Sequence, residues 1–289
     1  PAGITAAIYA KRANLNVAVV EKEYLGTGQI AESSRVDNYP GIPGIDGYSL
    51  GEKFREHAES LGVEFTEAQV LSLGQKDGIW IIGCDEDITL ESKAVIYATG
   101  CKNRPLGVPG EEKYYGRGLS FCAVCDGAFY KGKSVAVIGG GDTALDDAMY
   151  LSDICEKVYL VHRREFFRGS ASTLEKLKQK ENVEIIVNAR VEEITGDKKI
   201  DGIILDNKTK LNISGLFAAV GMVPQTELLK EFGVLDESNY VKASEDTKTT
   251  VNGLFVAGDV RTKQLRQVVT AAADGANAIY SVMEYLRNI

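Results

Sequence analysis

An α/β chain of two related halves, one inserted into the other, is what the sequence predicts, and three features predict it. An apolar strand, Lys133 to Ile138, runs into Gly139-Gly140-Gly141-Asp142-Thr143-Ala144 and a helical pattern through Leu151. The chain opens with the same logic: Pro1-Ala2-Gly3, a helical pattern through Ile4, Ala7 and Ile8, a turn at Asn14 to Asn16, and the strand Val17 to Glu21. Finally, Ala68-Gln69-Val70 precedes a three-strand region closing in Ala98-Thr99-Gly100, and Ala189-Arg190-Val191 precedes a similar region, equally long, closing in Ala219-Val220-Gly221. Equal spacing in two copies marks a duplicated module. Strand, glycine turn and helix in that order make a dinucleotide-binding βαβ unit. The expected class is therefore α/β with two Rossmann-like dinucleotide-binding domains, each of layered sheet and helices, the second inserted into the first.

Composition bounds the answer. A length of 289 residues favours two domains over one core. Apolar and charged fractions of 44% and 26% are those of a globular protein, and a net charge of −8 argues against nucleic acid or an anionic membrane as partner. No apolar run approaches the roughly 20 residues of a bilayer span. Five cysteines, an odd number read with no secretory leader ahead of them, suggest a reducing cytoplasm.

In chain order, Gly3 belongs to a glycine-rich loop, and Glu21 ends the next strand where an acid can accept hydrogen bonds from ribose hydroxyls. The strand that should precede such a loop is missing, so the numbering is expected to begin inside the motif. Leu25 to Gly47 is a long Gly/Asn/Pro/Ser-rich loop carrying Gly26-Thr27-Gly28-Gln29 and Asp37-Asn38-Tyr39-Pro40-Gly41, and loops of this length inside compact domains are usually functional. Leu50 to Leu61 has helical spacing; Ile79 to Cys84, Ile88 to Leu90 and Ala94 to Ala98 read as strands. Asn103 to Gly110, with two prolines and two glycines, reads as a linker. Gly221 to Pro224 reads as a second. The expected domains are thus 1–106 with 223–289, and 107–222, with the two linkers acting as a hinge.

Inside the insertion, the strand Lys157 to Val161 ends in His162-Arg163-Arg164, with Arg168 beyond. Where Glu21 would repel a 2'-phosphate, this basic cluster can bind one, so the second unit reads as an NADP(H) site; the alternative is a solvated basic patch. In the returning segment, Gly253 to Asp259 reads as a strand and Gln264 to Leu286 as a long helix with small residues at Ala271 to Ala273 and Gly275. Its first turn holds Arg266-Gln267-Val268, where backbone donors can face an anionic or carbonyl-rich ligand.

Cys122-Ala123-Val124-Cys125-Asp126-Gly127 is suited to reversible disulfide chemistry, since a following helix can lower a thiol pKa and an acid stands beside the pair. Two other readings stay open. One is half a zinc site, although Cys84, Cys101, Cys155, His57 and His162 offer no second clustered pair. The other is a pair of inert buried cysteines.

With these motifs in place, the whole chain resembles the low-molecular-weight, bacterial-type thioredoxin reductases of the pyridine nucleotide-disulfide oxidoreductases. Carrying the resemblance are Thr27-Gly28-Gln29-Ile30, Asn38-Tyr39-Pro40-Gly41, Cys122 to Gly127, Gly139 to Ala144, His162-Arg163-Arg164 with Phe167-Arg168, and Gly258-Asp259 with Arg266-Gln267. It implies FAD in the discontinuous first domain, touched by Gly3, Glu21, Gly28, Gln29, Asn38, Val70, Ala98, Thr99, Gly100, Gly258, Asp259, Arg266, Gln267 and Val268. It implies NADPH in the insertion, touched by Gly141, Asp142, Thr143, Ala144, His162, Arg163, Arg164 and Arg168. Electrons would pass from NADPH through FAD to a Cys122/Cys125 disulfide and on to a thioredoxin-like protein. Cys125 would meet the flavin, Cys122 would attack the partner and Asp126 would carry the proton. A cytoplasmic homodimer without metal is implied too. Two departures stand out: the opening Gly-x-Gly of the FAD loop is absent, and Thr27 stands where many relatives have Gly. Peroxiredoxin-reducing and ferredoxin-linked flavoproteins, or a non-catalytic redox or nucleotide sensor, are the rival readings.

Overall fold

The structure is a computed structural model, and it describes residues 1–22, 24, 28–33 and 35–289. Thr27 and Gly26, singled out above, lie outside the described residues. Among the described residues there are six α-helices: α1 (Ala2–Arg12), α2 (Gly47–Ser60), α3 (Ala123–Asp126), α4 (Asp142–Ser152), α5 (Ala171–Lys178) and α6 (Val268–Arg287). The chain divides into two compact units, Pro1–Lys102 with Val223–Ile289, and Asn103–Met222.

The inserted unit is built on a five-stranded parallel sheet in the order Val183–Val187, Lys157–His162, Ser134–Ile138, Gly215–Ala218, Leu119–Ser120. Ser134–Ile138 is apolar almost throughout because both its faces are covered. Val135 and Val137 pack with Leu145, Leu151 and Leu177 of the helices. Ala136 and Ile138 pack on the other side with Ile194, Ile203 and Leu211, from an antiparallel three-stranded sheet of Val191–Thr195, Gly202–Leu205 and Lys210–Asn212.

The discontinuous unit repeats this plan. Two parallel pairs, Ala18–Glu21 with Glu64–Glu67 and Val95–Tyr97 with Leu254–Val256, carry α1 and α6 on one side. On the other side, Tyr97 and Val256 pack with Trp80 and Ile82 from the antiparallel sheet of Val70–Lys76, Ile79–Cys84 and Thr89–Ser92. The duplication reaches single hydrogen bonds. The Gln69 amide donates to Asp85 Oδ1 at 2.8 Å and the Arg190 amide to Asp206 Oδ1 at 3.1 Å, each across 16 residues.

Local chemistry explains the boundaries. Helix α2 begins at Gly47, before the first periodic apolar residue, because Asp46 caps it by accepting from the Ser49 amide at 2.8 Å. Helix α6 starts at Val268, later than the apolar pattern suggests, because a capping box forms at Gln267 and Thr270. The small residues of α6 serve close packing: a Cβ on Gly275 would lie 2.3 Å from the Ala2 carbonyl oxygen. Cys101–Asn103, which leads into the first linker, and Met222–Pro224, within the second, pair as two short strands. No helix among the described residues is long and apolar enough to cross a membrane.

Candidate active site

Cys122 and Cys125 are joined in a disulfide with Cα atoms 5.3 Å apart. The pair sits where the strand Leu119–Ser120 turns into α3, and both cysteines are half-buried. Cys122 is the N-cap of α3, and the Cys125 amide donates to Cys122 Sγ at 3.2 Å. Asp126 follows directly. Its carboxylate accepts from the Ser120 hydroxyl at 2.6 Å. Burial raises the Asp126 pKa, an effect the Ser120 hydrogen bond opposes. Tyr130, in the next turn, is pushed up to about 12 by burial and by the charge of Asp126. The other three cysteines, Cys84, Cys101 and Cys155, are free and buried, and among the described residues no cluster of His, Cys, Asp and Glu could hold a metal.

In the same unit, Gly139-Gly140-Gly141 turns the chain from the sheet into α4. A Cβ on Gly139 would lie 2.4 Å from the Ala219 carbonyl oxygen, and one on Gly140 would lie 2.3 Å from the His162 ring. Around Gly141 a Cβ would meet nothing within 4 Å, and α4 has no side-chain cap. Open space before an uncapped helix start fits a dinucleotide pyrophosphate. Of the expected contacts, Thr143, Arg163, Arg164 and Arg168 are exposed and Ala144 is buried. Asp142 has a structural partner: its Oδ1 accepts from the Ser170 amide at 2.7 Å. His162 is buried at 6% exposure, with its ring 4.9 Å from that of Phe167 and Nε2 3.2 Å from the Phe166 carbonyl. Burial lowers the His162 pKa and the three arginines lower it further, while the bond to Phe166 opposes them. The Arg168 amide donates to the Gly140 carbonyl at 2.7 Å, which laces the arginine loop to the glycine turn.

In the discontinuous unit several expected residues, distant in sequence, meet. Asn38 Nδ2 donates to Gln267 Oε1 at 2.9 Å. A Cβ on Gly3 would sit 3.5 Å from that of Ala98, and one on Gly258, at φ +83°, would sit 2.9 Å from that of Ala2. Arg266 Nε donates to the Asp259 carbonyl at 3.2 Å while its guanidinium lies 4.2 Å over the Tyr240 ring. Val268 packs beside Ile30 and Leu50. Asp259 Oδ1 is buried and accepts no hydrogen bond from the described residues. Burial raises the Asp259 pKa against the pull of Lys263 and Arg266. An orphaned buried acceptor beside a glycine turn fits a hydroxyl-bearing ligand such as the sugar chain of FAD.

The remaining expected residues have their own surroundings in the fold. Glu21 pairs with Arg55 of α2, whose guanidinium lies over the rings of Tyr24 and Phe65 at 4.4 and 4.1 Å. Thr99 Oγ1 donates to the Gln225 carbonyl at 2.7 Å, and the Gln225 amide donates to the Gly100 carbonyl at 3.0 Å. Gly28, at φ +66°, and Gln29 open a 3₁₀ helix, and Val70 starts its strand half-buried. Sequence reasoning missed Asp274. This buried carboxylate receives Arg261 Nη2 at 2.6 Å, Arg261 Nε at 2.9 Å, Lys263 Nζ at 2.8 Å and the Gly258 amide at 2.9 Å, which fixes the turn before Asp259. An acid within an apolar helical face was its only signal. Arg55 and Ser120 were missed as well, since their partners cannot be paired from sequence.

The pyridine nucleotide-disulphide oxidoreductase model matches residues 1–275. A thioredoxin reductase of Mycoplasma genitalium is 38% identical over 98% of this chain and 92% of its own length. One from Bacillus subtilis is 37% identical over 100% and 93%. The crystal structure of thioredoxin reductase from Streptococcus pyogenes aligns at TM-score 0.94 with 39% identity, covering 100% of this chain and 96% of that one. A disulfide followed by a half-buried acid, two dinucleotide-type units and full-length matches agree, and the chain belongs to the pyridine nucleotide-disulphide oxidoreductase family, in its thioredoxin reductase branch.

Proposed function

We propose that this oxidoreductase reduces the disulfide of a thioredoxin-like protein with electrons from NADPH, relayed by FAD and the Cys122/Cys125 pair. The observation that carries the reading is the disulfide beside the half-buried Asp126, on the unit that also bears the open glycine turn at Gly141. FAD would be held in the discontinuous unit, by Asp259 Oδ1, the Asn38–Gln267 pair, Gly3 and Glu21 among others. NADPH would be held at Gly141 and Thr143, with Arg163, Arg164 and Arg168 around its 2'-phosphate.

When bound, the flavin accepts reducing equivalents from the nicotinamide and supplies an electron pair to the disulfide. The chain provides the rest. The Cys122–Cys125 bond breaks on gaining two electrons and two protons; the Cys122 thiolate attacks the partner disulfide, and Cys125 then displaces the mixed disulfide, so the protein bond re-forms as the partner becomes a dithiol. Asp126, whose pKa burial raises, stands directly after Cys125 as the carboxyl that would give a proton to a leaving thiolate. Family membership supports a cytoplasmic homodimer.

Anaerobic titration of the FAD-loaded enzyme with NADPH and with NADH, wild type beside Cys122→Ser and Cys125→Ser, tests the nucleotide half. NADPH should bleach the flavin in all three proteins at far lower concentration than NADH. Failure of both nucleotides would end the reading.

A further inference from the structure

We propose that Ser120 is a positioning residue that keeps Asp126 Oδ2 an acceptor and so confines the transferable proton of Asp126 to Oδ1. The inference rests on the reading of Asp126 as the proton carrier. Ser120 ends the strand that leads into the redox turn, and it is buried at 6% exposure. Parallel pairing of Ser120 with Phe217 fixes its backbone. Its hydroxyl has one hydrogen, and the geometry decides where that hydrogen goes. The Cys122 amide donates to Ser120 Oγ at 3.1 Å, which occupies a lone pair. Two acceptors compete for the hydrogen: Asp126 Oδ2 at 2.6 Å and the Cys122 carbonyl at 3.4 Å. The shorter contact wins, because a hydroxyl–carboxylate bond of that length is charge-assisted and among the stronger hydrogen bonds, while one at 3.4 Å is weak.

The consequence concerns both protonation states. When Asp126 is ionised, Ser120 stabilises the charge at Oδ2. When Asp126 is protonated, Oδ2 still receives the Ser120 hydrogen and the acid's own hydrogen sits on Oδ1. The same hydroxyl, through the Cys122 amide, ties this arrangement to the backbone of the attacking cysteine. Ser120 therefore lowers the proton affinity of a carboxyl that burial raises, and it selects the oxygen from which the proton leaves. Tyr130 is the titratable neighbour whose own pKa responds to Asp126.

The test compares wild type, Ser120→Ala, Ser120→Thr and Asp126→Asn, plus the double variant, each loaded with FAD. Two quantities are read against pH: the infrared carboxyl band that Asp126→Asn removes, and the rate at which iodoacetamide alkylates the reduced cysteines. Loss of the hydrogen bond in Ser120→Ala should move both inflections to higher pH by about one unit. Ser120→Thr, which keeps the hydroxyl, should restore them. In the Asp126→Asn background, Ser120→Ala should shift nothing. An unshifted profile in Ser120→Ala, with a profile altered by Asp126→Asn, overturns the inference alone. A profile unaltered by Asp126→Asn overturns the reading of Asp126 beneath it. Should Ser120→Ala unfold, a carboxyl band shifted in Ser120→Thr as far as expected for Ala would also contradict the proposal.

Discussion

Asn38 and Gln267, 229 residues apart, are joined by a 2.9 Å hydrogen bond from Asn38 Nδ2 to Gln267 Oε1. Gln267 is also the N-cap of α6, in a capping box with Thr270. One side chain thus anchors the loop before α2 and starts the last helix. Gln267→Ala should cost about 1–2 kcal/mol of stability, the sum of a lost cap and a hydrogen bond whose exposure keeps it weak. A double-mutant cycle with Asn38→Ala, read by urea unfolding, should return a coupling of roughly 0.5 kcal/mol. Flavin affinity, read by fluorescence quenching, should fall several-fold in both single variants.

Asp274 and Arg261 make a second prediction. Burial alone would raise the Asp274 carboxyl, but hydrogen bonds from Arg261 and Lys263 hold it below the usual range. Asp274→Ala would take the carboxylate from the buried Lys263 ammonium and the Gly258 amide and leave Arg261 with only Glu245 and two backbone carbonyls, at a cost of about 3–5 kcal/mol. Such a group stabilises the fold above its unfolded pKa, and that contribution is lost as pH falls through its folded value. Wild type should therefore lose its advantage over Asp274→Asn in acid, as equilibrium unfolding at descending pH would show.

Asp147 on α4 has the opposite sign. Burial and the neighbouring Asp146 push it up to about 7 from an ordinary 3.8. The folded protein then holds a proton that the unfolded chain has released. Its stabilising contribution is complete below 3.8 and disappears as pH rises through about 7. Asp147→Asn should match wild type near pH 4 and exceed it at pH 8 by on the order of 1–3 kcal/mol in urea unfolding.

Nucleotide preference should reside in the exposed arginines. Arg163→Ala, Arg164→Ala or Arg168→Ala should each raise KM for NADPH by roughly tenfold with kcat little changed, since each removes a charge-assisted contact made equally in ground and transition states. KM for NADH should hardly move. Equal losses with both nucleotides would place the arginines away from the 2'-phosphate.

What the sequence disclosed and what it hid divide along physical lines. Strand Ser134–Ile138 with its glycine turn was legible because covering both faces demands an apolar run and the tight turn into α4 leaves no room for a Cβ at Gly139 or Gly140. The repeat was legible because both copies fold alike, down to matched Asp85 and Asp206 side-chain bonds. The redox pair was legible from spacing. Partnerships across the fold were not: Arg55 with Glu21, Asp274 with Arg261 and Thr99 with Gln225 join segments that no local pattern connects. His162 shows the limit within a recognised motif, for the cluster reads as one basic site while the buried ring lies against Gly140. Element starts were misplaced at α2 and α6, where caps rather than apolar periodicity set the first residue.

The central claim is that electrons leave this protein through Cys122 and Cys125. NADPH-dependent reduction of a thioredoxin disulfide, followed in the steady state with the FAD-loaded enzyme, measures it directly beside flavin reduction by NADPH in the same preparations. Cys122→Ser and Cys125→Ser should each lose turnover by a factor on the order of a thousand while keeping flavin reduction, since the two thiols act as a unit. Thioredoxin reduction at the wild-type rate in either variant would contradict the account.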